Sequence, residues 1–555
     1  MTLPVAFGCM RLSTDATIDE ARGLAVIAAA IDGGATLLDT APSYAIDEAH
    51  THANERLVAQ ALAAFPLRTV EVSTKAGLVR VGGAWVADGR AKAIRASCEG
   101  SLRALGRGKL DLLLLHTVDP KTPISTSARA LAELVRAGLV ERAGLCNVNV
   151  EQIEEARRYV DVRAVQVAVS PFDGTAFTGG VVAHCRAAGI PVFAHSPFGG
   201  PRRAKRLFSH AEVVTWLRSL GIVAVPGATQ ADHARRATAA AFAPMDATRA
   251  EALSRQTGAK RPERHGPTRG EIVILMGIQG AGKSTSVRAF EHAGYARLNR
   301  DARGGTMAAL TEELERRAAS GETRFVLDNL YLTRASRAPV VDVGARHDLD
   351  VRCIWLDTSR EDAELNVVSR LFERYGKVPD MRELRLLVKE DPQAFGPSTL
   401  TTSQRALEAP VSGEGFSSIE RRPFARVTAV ERTEPGVVVD LKSLAPVKRS
   451  TLETVLGSHP FTHALVIAWD PGADEGTLRT HVERGGLIAG LSSVEVALCS
   501  HGAGAPTCWC RPPLPGLIVP WLSRRRIDPR ASLLVGSQPA HERLAAMLRF
   551  TYARV

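Results

Sequence analysis

Three groups of residues in this 555-residue chain have types and spacings that could do chemistry. The first is Gly277-x-x-x-x-Gly282-Lys283-Ser284, which follows the apolar run EIVILMG and precedes the helix-like run STSVRAF. A phosphate-binding loop needs that strand–loop–helix context. Glycines, Gly280 included, let backbone N–H groups turn inward on phosphates. Lys283 would reach the β and γ oxygens, and Ser284, with Thr285 beside it, would ligate Mg²⁺. The loop predicts ATP and Mg²⁺ but not what receives the phosphate. Asp301 follows the strand-like YARLN, where a carboxylate would face the reaction centre and take the proton of an attacking hydroxyl. Asp328 and Asn329 end RFVLDN, at a strand end where ligands of open α/β sheets bind. Arg370 and Arg374 are four apart and share a helix face, either as a lid over ATP phosphates or as a solvated surface.

The second group is Asp39, Tyr44, Lys75 and His116. Each stands at or just after the end of an apolar run: ATLLDT, TVEVSTK and LDLLLLH. A phenol with a pKa of about 10 is a poor acid at neutral pH. Lys75 beside it would lower that pKa, Asp39 would hold Lys75 charged, and His116 could hydrogen-bond a substrate carbonyl. The third group is Cys499-x-His501 followed by Cys508-x-Cys510. Four soft ligands this close fit a tetrahedral, structural Zn²⁺.

The elements that must position these residues can be read from the pattern. Residues 1 to 240 alternate helical stretches with eight strand candidates: LPVAFG, ATLLDT, TVEVSTK, LDLLLLH, RAGLCN, RAVQVAVS, PVFAHSP and IVAVPG. The order predicts a (β/α)8 barrel with the tetrad on its catalytic face. Residues 241–270 are polar and basic and read as a linker. Residues 271–427 alternate strands and helices as a P-loop α/β domain. Residues 428–555 carry four more strand candidates: GVVVDL, HALVIAW, VEVALCS and SLLVGS. The eight cysteines are dispersed, unlike a secreted disulfide framework. No apolar run approaches a membrane span and no signal peptide is visible, so the expected location is cytoplasmic. The formal charge of +11 fits a polyanionic partner, or an arginine-rich proteome.

Taken in order, GIQGAGKST, LNRD, VLDN, R-x-x-x-R-x-x-K-V-P and EGFSSIERRPF resemble the kinase domain of the polynucleotide kinase-phosphatases, over 271 to 427. The resemblance implies Asp301 as general base, Lys283 and Ser284 as phosphate and Mg²⁺ contacts, and Arg374 in the lid. It also implies Asp328 at the acceptor end and, at an uncertain spacing, Arg303. The tetrad with GLCNVNVEQIEEA, VQVAVSP, FAHSPFGG and VPGATQADH resembles the aldo-keto reductases, over 1 to 240. By that resemblance Asn147, Gln166, Ser196 and Gly227 line an NADP(H) site. The sequence departs from that family in a short loop after Gly200. His233 stands where a basic residue is common, and Ala237 where an asparagine is common. CSHGAGAPTCWCRPPLPGL, GVVVDLKSL and SLLVGSQPAHERLAA resemble the zinc loop and the first and last motifs of haloacid-dehalogenase-type phosphatases. Lys442, Ser537 and His541 replace the expected carboxylates, and Pro512 the expected lysine. The resemblance therefore implies a degenerate domain with no phosphatase activity.

The resulting expectation is an ATP-dependent 5′-hydroxyl polynucleotide kinase acting on RNA or DNA ends, fused to an NADPH-dependent reductase. Linkage in one chain ties the carbonyl substrate to damaged nucleic-acid ends. The alternatives are a metabolic reductase joined to a small-molecule kinase, and a barrel and phosphatase-like domain serving as scaffolds.

Overall fold

The computed structural model describes residues 3–199, 208–424, 432–444, 449–457, 461–472, 474–485, 493–502 and 508–555. Contacts divide the chain into two compact units, residues 1–264 with 334–342 and residues 265–333 with 343–555.

In the first unit all eight strand candidates become strands: β1 Ala6–Gly8, β2 Leu37–Asp39, β3 Glu71–Ala76, β4 Leu110–Leu115, β5 Val140–Cys146, β6 Val162–Ala168, β7 Val192–His195 and β8 Ile222–Ala224. They pair in parallel and in sequence order. The cylinder is nearly closed, because Gly8 N–H donates to Pro226 O at 2.9 Å across the seam. The interior is filled by small and branched side chains, among them Leu37, Leu112, Leu114, Ala164 and Val223, as such a barrel requires. Gly144 is fixed by close approach: a Cβ there would lie 2.5 Å from Ala164 O on β6.

Helices cover the outside. Asp19 caps Glu20–Asp32 by accepting from Arg22 N–H. Asn149 with Gln152 and Ser209 with Glu212 form capping boxes for Val150–Arg157 and His210–Ser219. The stretch expected as a linker differs. Residues Ala247–Gln256 form a helix, with Leu253 buried in the core and Ser254 accepting from Trp216 Nε1 at 3.1 Å. One buried leucine among charged neighbours leaves little helical periodicity to read.

The second unit holds two five-stranded parallel sheets. The first contains β9 Gly270–Met276, β10 Ala296–Leu298, β11 Arg324–Leu327, β12 Leu349–Asp357 and β13 Ser418–Pro423, ordered β10-β11-β9-β12-β13. The second contains β14 Gly436–Asp440, β15 His463–Trp469, β16 Ser493–Cys499, β17 Leu533–Gly536 and β18 Thr551–Arg554, ordered β16-β15-β14-β17-β18. The strand β18 is additional to the four expected. It is a short edge strand with no buried residue, a weak signal in sequence. The two sheets share one apolar core in which Val273 and Ile354 cluster with Val438, Trp509 and Trp521. Trp509 Nε1 also donates to Phe395 O at 2.8 Å. Both sheets therefore belong to one compact unit. Among the described residues, no helix is long and apolar enough to cross a membrane.

Candidate functional sites

The tetrad converges at the carboxyl ends of consecutive barrel strands. Lys75 is buried on β3, and its ammonium donates to Asp39 Oδ2 at 2.7 Å and Thr40 O at 3.0 Å. Gln166 holds the other carboxylate oxygen, its Nε2 donating to Asp39 Oδ1 at 2.9 Å. Lys75 Nζ lies 4.8 Å from the centre of the Tyr44 ring. The rings of Tyr44 and His116 meet edge-to-face with centroids 5.5 Å apart. An isolated buried ammonium would be costly, and Asp39 with Thr40 O makes this one tenable.

The electrostatics follow from burial. Burial alone would push the Lys75 pKa down, but Asp39 and Tyr44 outweigh it and the pKa is raised. Burial raises the Tyr44 phenol, with Lys75 pulling the other way. The expected influence of Lys75 is present, but desolvation is the larger effect, so the phenol is not brought down. His116 lies well below the usual imidazole range, through burial, then the charge of Lys75, then His195. It is a neutral hydrogen-bonding group.

Asn147 and Ser196 both adopt positive φ, 55° and 51°, which turns the backbone at the ends of β5 and β7. Asn147 Nδ2 donates to His116 O at 3.0 Å, and its Oδ1 meets His195 Nε2 at 2.9 Å. His195 Nδ1 lies 3.1 Å from Ser196 Oγ. The sequence reading missed His195, although it stands within the quoted FAHSPFGG. Gly227 is exposed and passes so close to β1 that a Cβ would lie 3.0 Å from Gly8 O. The following helix, Ala231–Ala239, has no side-chain cap at Gln230 and exposes His233, while Ala237 is buried. An uncapped helix start beside an exposed glycine suits the phosphates of a dinucleotide. Residues 200–207, which include the shortened loop, lie outside the described residues.

A hairpin, Leu78–Val81 with Ala84–Ala87, stands beside this site. Trp85 meets Tyr44 at 6.3 Å and His116 at 6.4 Å between ring centres. Arg80 stacks 3.6 Å above Trp85 and donates to Ala45 O through Nε at 3.0 Å. Val79, Val81 and Val86 are exposed on the same hairpin. None of these was anticipated.

The phosphate loop lies between β9 and the helix Lys283–His292. Gly280 has φ +79°, and a Cβ there would lie 2.7 Å from Ala363 O; Gly282 has φ +88°. Gly277 is closely packed against Leu356 O, 3.1 Å from where its Cβ would stand. Asn366 Nδ2 donates to Gly280 O at 2.8 Å, a support not foreseen from sequence. Lys283 Nζ lies over the loop and donates to Gly277 O and Ile278 O at 2.7 Å each. Ser284 and Thr285 are exposed in the first turn.

Asp328 has a different setting from the one expected of an acceptor ligand. It is buried and accepts from Arg297 Nη2 at 2.6 Å and Asn299 Nδ2 at 2.7 Å. Asn299 in turn caps the helix Arg300–Arg303, accepting from Ala302 N–H at 2.8 Å. Asn329 Oδ1 accepts from Arg300 N–H at 3.0 Å. Asp328 and Asn329 thus position the helix that carries Asp301. The side chains of Asp301 and Arg303 lie outside what the structure describes. Arg370 and Arg374 share the helix Arg360–Tyr375 as expected, and both reach one segment: Arg370 Nη2 donates to Gln393 O at 3.2 Å and Arg374 Nη1 lies 3.2 Å from Asp391.

Cys499 ends β16, and Cys499, His501, Cys508 and Cys510 have all their ligand atoms within 4.8 Å of one another. Cys499 Sγ lies 3.7 Å from Cys508 Sγ, 3.3 Å from Cys510 Sγ and 3.6 Å from His501 Nδ1. A tetrahedron of ligands at about 2.3 Å from a Zn²⁺ has edges of roughly 3.8 Å, so the set is nearly preformed. Trp469 Nε1 donates to His501 O at 2.8 Å and holds the loop. Nearby, Asp440 ends β14 and accepts from Ser537 Oγ at 3.4 Å.

Residues 4–211 match the aldo/keto reductase family, and residues 272–382 match an AAA domain. An uncharacterized oxidoreductase of Schizosaccharomyces pombe is 33% identical over 167 residues, 29% of this chain and 52% of that protein. The match thus spans about half the length of that curated relative. Among solved structures, a glycerol dehydrogenase from Gluconobacter oxydans is 24% identical with a TM-score of 0.40, covering 47% of this chain and 94% of its own. An aldo/keto reductase from Klebsiella pneumoniae, in complex with NADP and acetate, is 22% identical with a TM-score of 0.38, covering 45% and 90%. The N-terminal part of the chain is an aldo/keto reductase domain. A kinase-like P-loop domain of the AAA type follows it.

Proposed function

We propose that the chain is a bifunctional enzyme: an NADPH-dependent carbonyl reductase joined to an ATP-dependent kinase for the 5′-hydroxyl ends of a polynucleotide. The observation that carries the reductase reading is the buried Lys75–Asp39 ion pair beneath the ring of Tyr44, with a neutral His116 against the same ring. Asn147, Gln166, Ser196 and Gly227 would hold NADPH, which supplies a hydride when bound. Tyr44 would deliver the proton to the carbonyl oxygen, Lys75, held charged by Asp39, would offset part of the effect of burial on its acidity, and His116 would orient the carbonyl. The test is NADPH oxidation with a panel of aldehydes. Loss of turnover in Tyr44→Phe supports the reading, and an unchanged rate overturns it.

The kinase reading rests on the preorganised phosphate loop together with the Asp328–Asn299 support of the helix that carries Asp301. Asp301 would take the proton of the acceptor hydroxyl, with Lys283, Ser284, Arg370 and Arg374 contacting ATP or its Mg²⁺. Phosphate transfer to 5′-hydroxyl RNA and DNA, compared with small alcohols, is the measurement. A preference for small alcohols sinks the polynucleotide assignment. Cys499, His501, Cys508 and Cys510 would hold one structural Zn²⁺, checked by metal analysis of the purified protein. A cytoplasmic location completes the reading.

A second reading, favoured by the hairpin, concerns the carbonyl substrate. Trp85 makes an aromatic rim beside Tyr44, while Val79, Val81 and Val86 lie on the other face of the hairpin. Such a rim suits an apolar metabolite aldehyde better than a charged, damaged polynucleotide end. Reduction of aromatic aldehydes but not of aldehyde-bearing oligonucleotides would favour it.

A further inference from the structure

The loop that joins β2 to Tyr44, residues 40–44, carries a hydroxyl that the reductase reading does not use. Ser43 is buried, and its Oγ lies 3.4 Å from Nδ1 of His116, the residue that follows β4. Among the described residues the Ser43 hydroxyl makes no other hydrogen bond. The backbone of His116 is fixed on both sides. Its N–H donates to Ala76 O at 2.7 Å, and its carbonyl accepts from Asn147 Nδ2 at 3.0 Å. The imidazole stands edge-to-face against the rings of Tyr44 and Trp85. Its Nε2 has no protein partner among the described residues and is not sealed from solvent, so it is the nitrogen left for a ligand.

One wholly buried amide clamps this loop at both ends. Asn54, in the helix Ala53–Ala63, accepts from Thr40 Oγ1 at 2.6 Å where the loop begins. Its Nδ2 donates to Ser13 Oγ at 2.6 Å, and Ser13 Oγ donates in turn to Tyr44 O at 2.7 Å where the loop ends. Asn54 Nδ2 also donates to Cys9 O at 2.9 Å. A carbonyl can only accept, so this contact fixes which way the amide faces. The chain of hydrogen bonds from Thr40 through Asn54 and Ser13 to Tyr44 holds the loop on either side of Ser43. The Ser43 backbone cannot drift away from the imidazole without breaking that chain.

A neutral imidazole has one N–H and one bare nitrogen, and the hydrogen bond at one nitrogen decides the state of the other. His116 is neutral, because burial and then the charge of Lys75 hold it below the usual imidazole range. Two arrangements then satisfy the contact with Ser43. With the proton on Nδ1, that N–H would donate to Ser43 Oγ, and the hydroxyl hydrogen would be buried without an acceptor. With Nδ1 bare, the hydroxyl donates to it and no donor is left unmade. A buried donor without a partner costs more than an oxygen with an unused lone pair. We propose that Ser43 sets the tautomer of His116, donating to Nδ1 and so keeping the proton on Nε2. Ser43 is a positioning residue that acts through His116. The inference rests on the reductase reading and deepens it: the ring offers the site a donor for the lone pairs of a carbonyl oxygen, and no acceptor for an N–H or O–H.

The test is nitrogen NMR of the full chain labelled with ¹⁵N in its histidine rings, at neutral pH. The His116 signals are those lost in His116→Asn. In the unsubstituted chain Nε2 shows the shift of a protonated ring nitrogen and Nδ1 that of a bare one. Ser43→Ala removes a single oxygen, and the two shifts move toward each other as both tautomers become populated. Ser43→Thr, which keeps the hydroxyl, retains the original pattern. In parallel, Ser43→Ala lowers kcat/KM for aldehyde reduction roughly two- to tenfold, the worth of one hydrogen bond, while the NADPH dissociation constant is unchanged and Ser43→Thr restores the rate. A loss of packing alone would leave the tautomer where it was. A proton on Nδ1 in the unsubstituted chain, or a His116 pattern indifferent to Ser43→Ala, overturns the proposal even if the chain reduces aldehydes. The expected pattern in a chain that reduces no carbonyl supports the action of Ser43 on His116 and counts against the reductase reading instead.

Discussion

Tyr44 is the residue on which the proposed reductase chemistry turns, and its surroundings give the pH dependence a definite sign. Its phenol is raised by burial and His116 is held well below the neutral range, also chiefly by burial. The proton donor is therefore loaded at all pH values below its raised pKa, and the imidazole stays neutral. Turnover should be level through neutral pH, without a histidine limb between about pH 6 and 8, and should fall only as pH rises toward the phenol's pKa. A kcat/KM profile checks this, and an inflection near pH 6.5 would contradict it. Tyr44→Phe should lower kcat by about 10²–10⁴-fold, the usual worth of a positioned acid, with NADPH binding preserved in a fluorescence titration. At the same scale, Asp328→Ala removes the acceptor that holds Arg297 and Asn299. It should cost roughly 1–3 kcal/mol, seen as a lower melting temperature, and should slow phosphate transfer by loosening the helix that carries Asp301.

Elements matter because they aim these side chains. The phosphate loop depends on Gly280, whose positive φ and tight approach to Ala363 O leave no space for a methyl group. Gly280→Ala should destabilise the unit by more than about 1 kcal/mol and abolish ATP binding, whereas Gly282→Ala, where a Cβ meets nothing within 4 Å, should cost less. Chemical denaturation and nucleotide titration of both variants measure the difference. Much of this architecture was legible in sequence. Most barrel strands are apolar runs buried on both faces, and the tetrad residues sit at or just after strand ends, so strand reading and site reading reinforce one another. The hairpin around Trp85 was not legible, because its alternating valines point outward and give no core signal. The internal engagement of Asp328 was hidden for another reason. Arg297 lies on the neighbouring strand β10, and only the parallel pairing of β10 with β11 brings the two together. Asn366 and His195 escaped notice because their roles are contacts with loops distant in sequence.

At the scale of the whole molecule, the two proposed nucleotide sites fall in two different compact units. Calorimetric melting should show two transitions, with NADPH raising one and ATP with Mg²⁺ raising the other, each by mass action on the unit that binds it. A single transition shifted by both ligands would speak against independent units. Removing the proposed zinc with a chelator should lower the transition that ATP raises and leave the other in place. The distribution of sulfur has a consequence of its own. Cys9, Cys98, Cys146, Cys185 and Cys353 are thiols outside any disulfide and buried out of reach of solvent oxidants. Cys510 is the partly exposed thiol, and its Sγ stands 3.3 Å from that of Cys499. Peroxide that stripped a metal from this cluster would find these two sulfurs already in non-bonded contact. Oxidative damage to the chain should therefore begin at one loop, as a disulfide that a thiol reductant reverses, rather than as scattered loss of thiols throughout the protein.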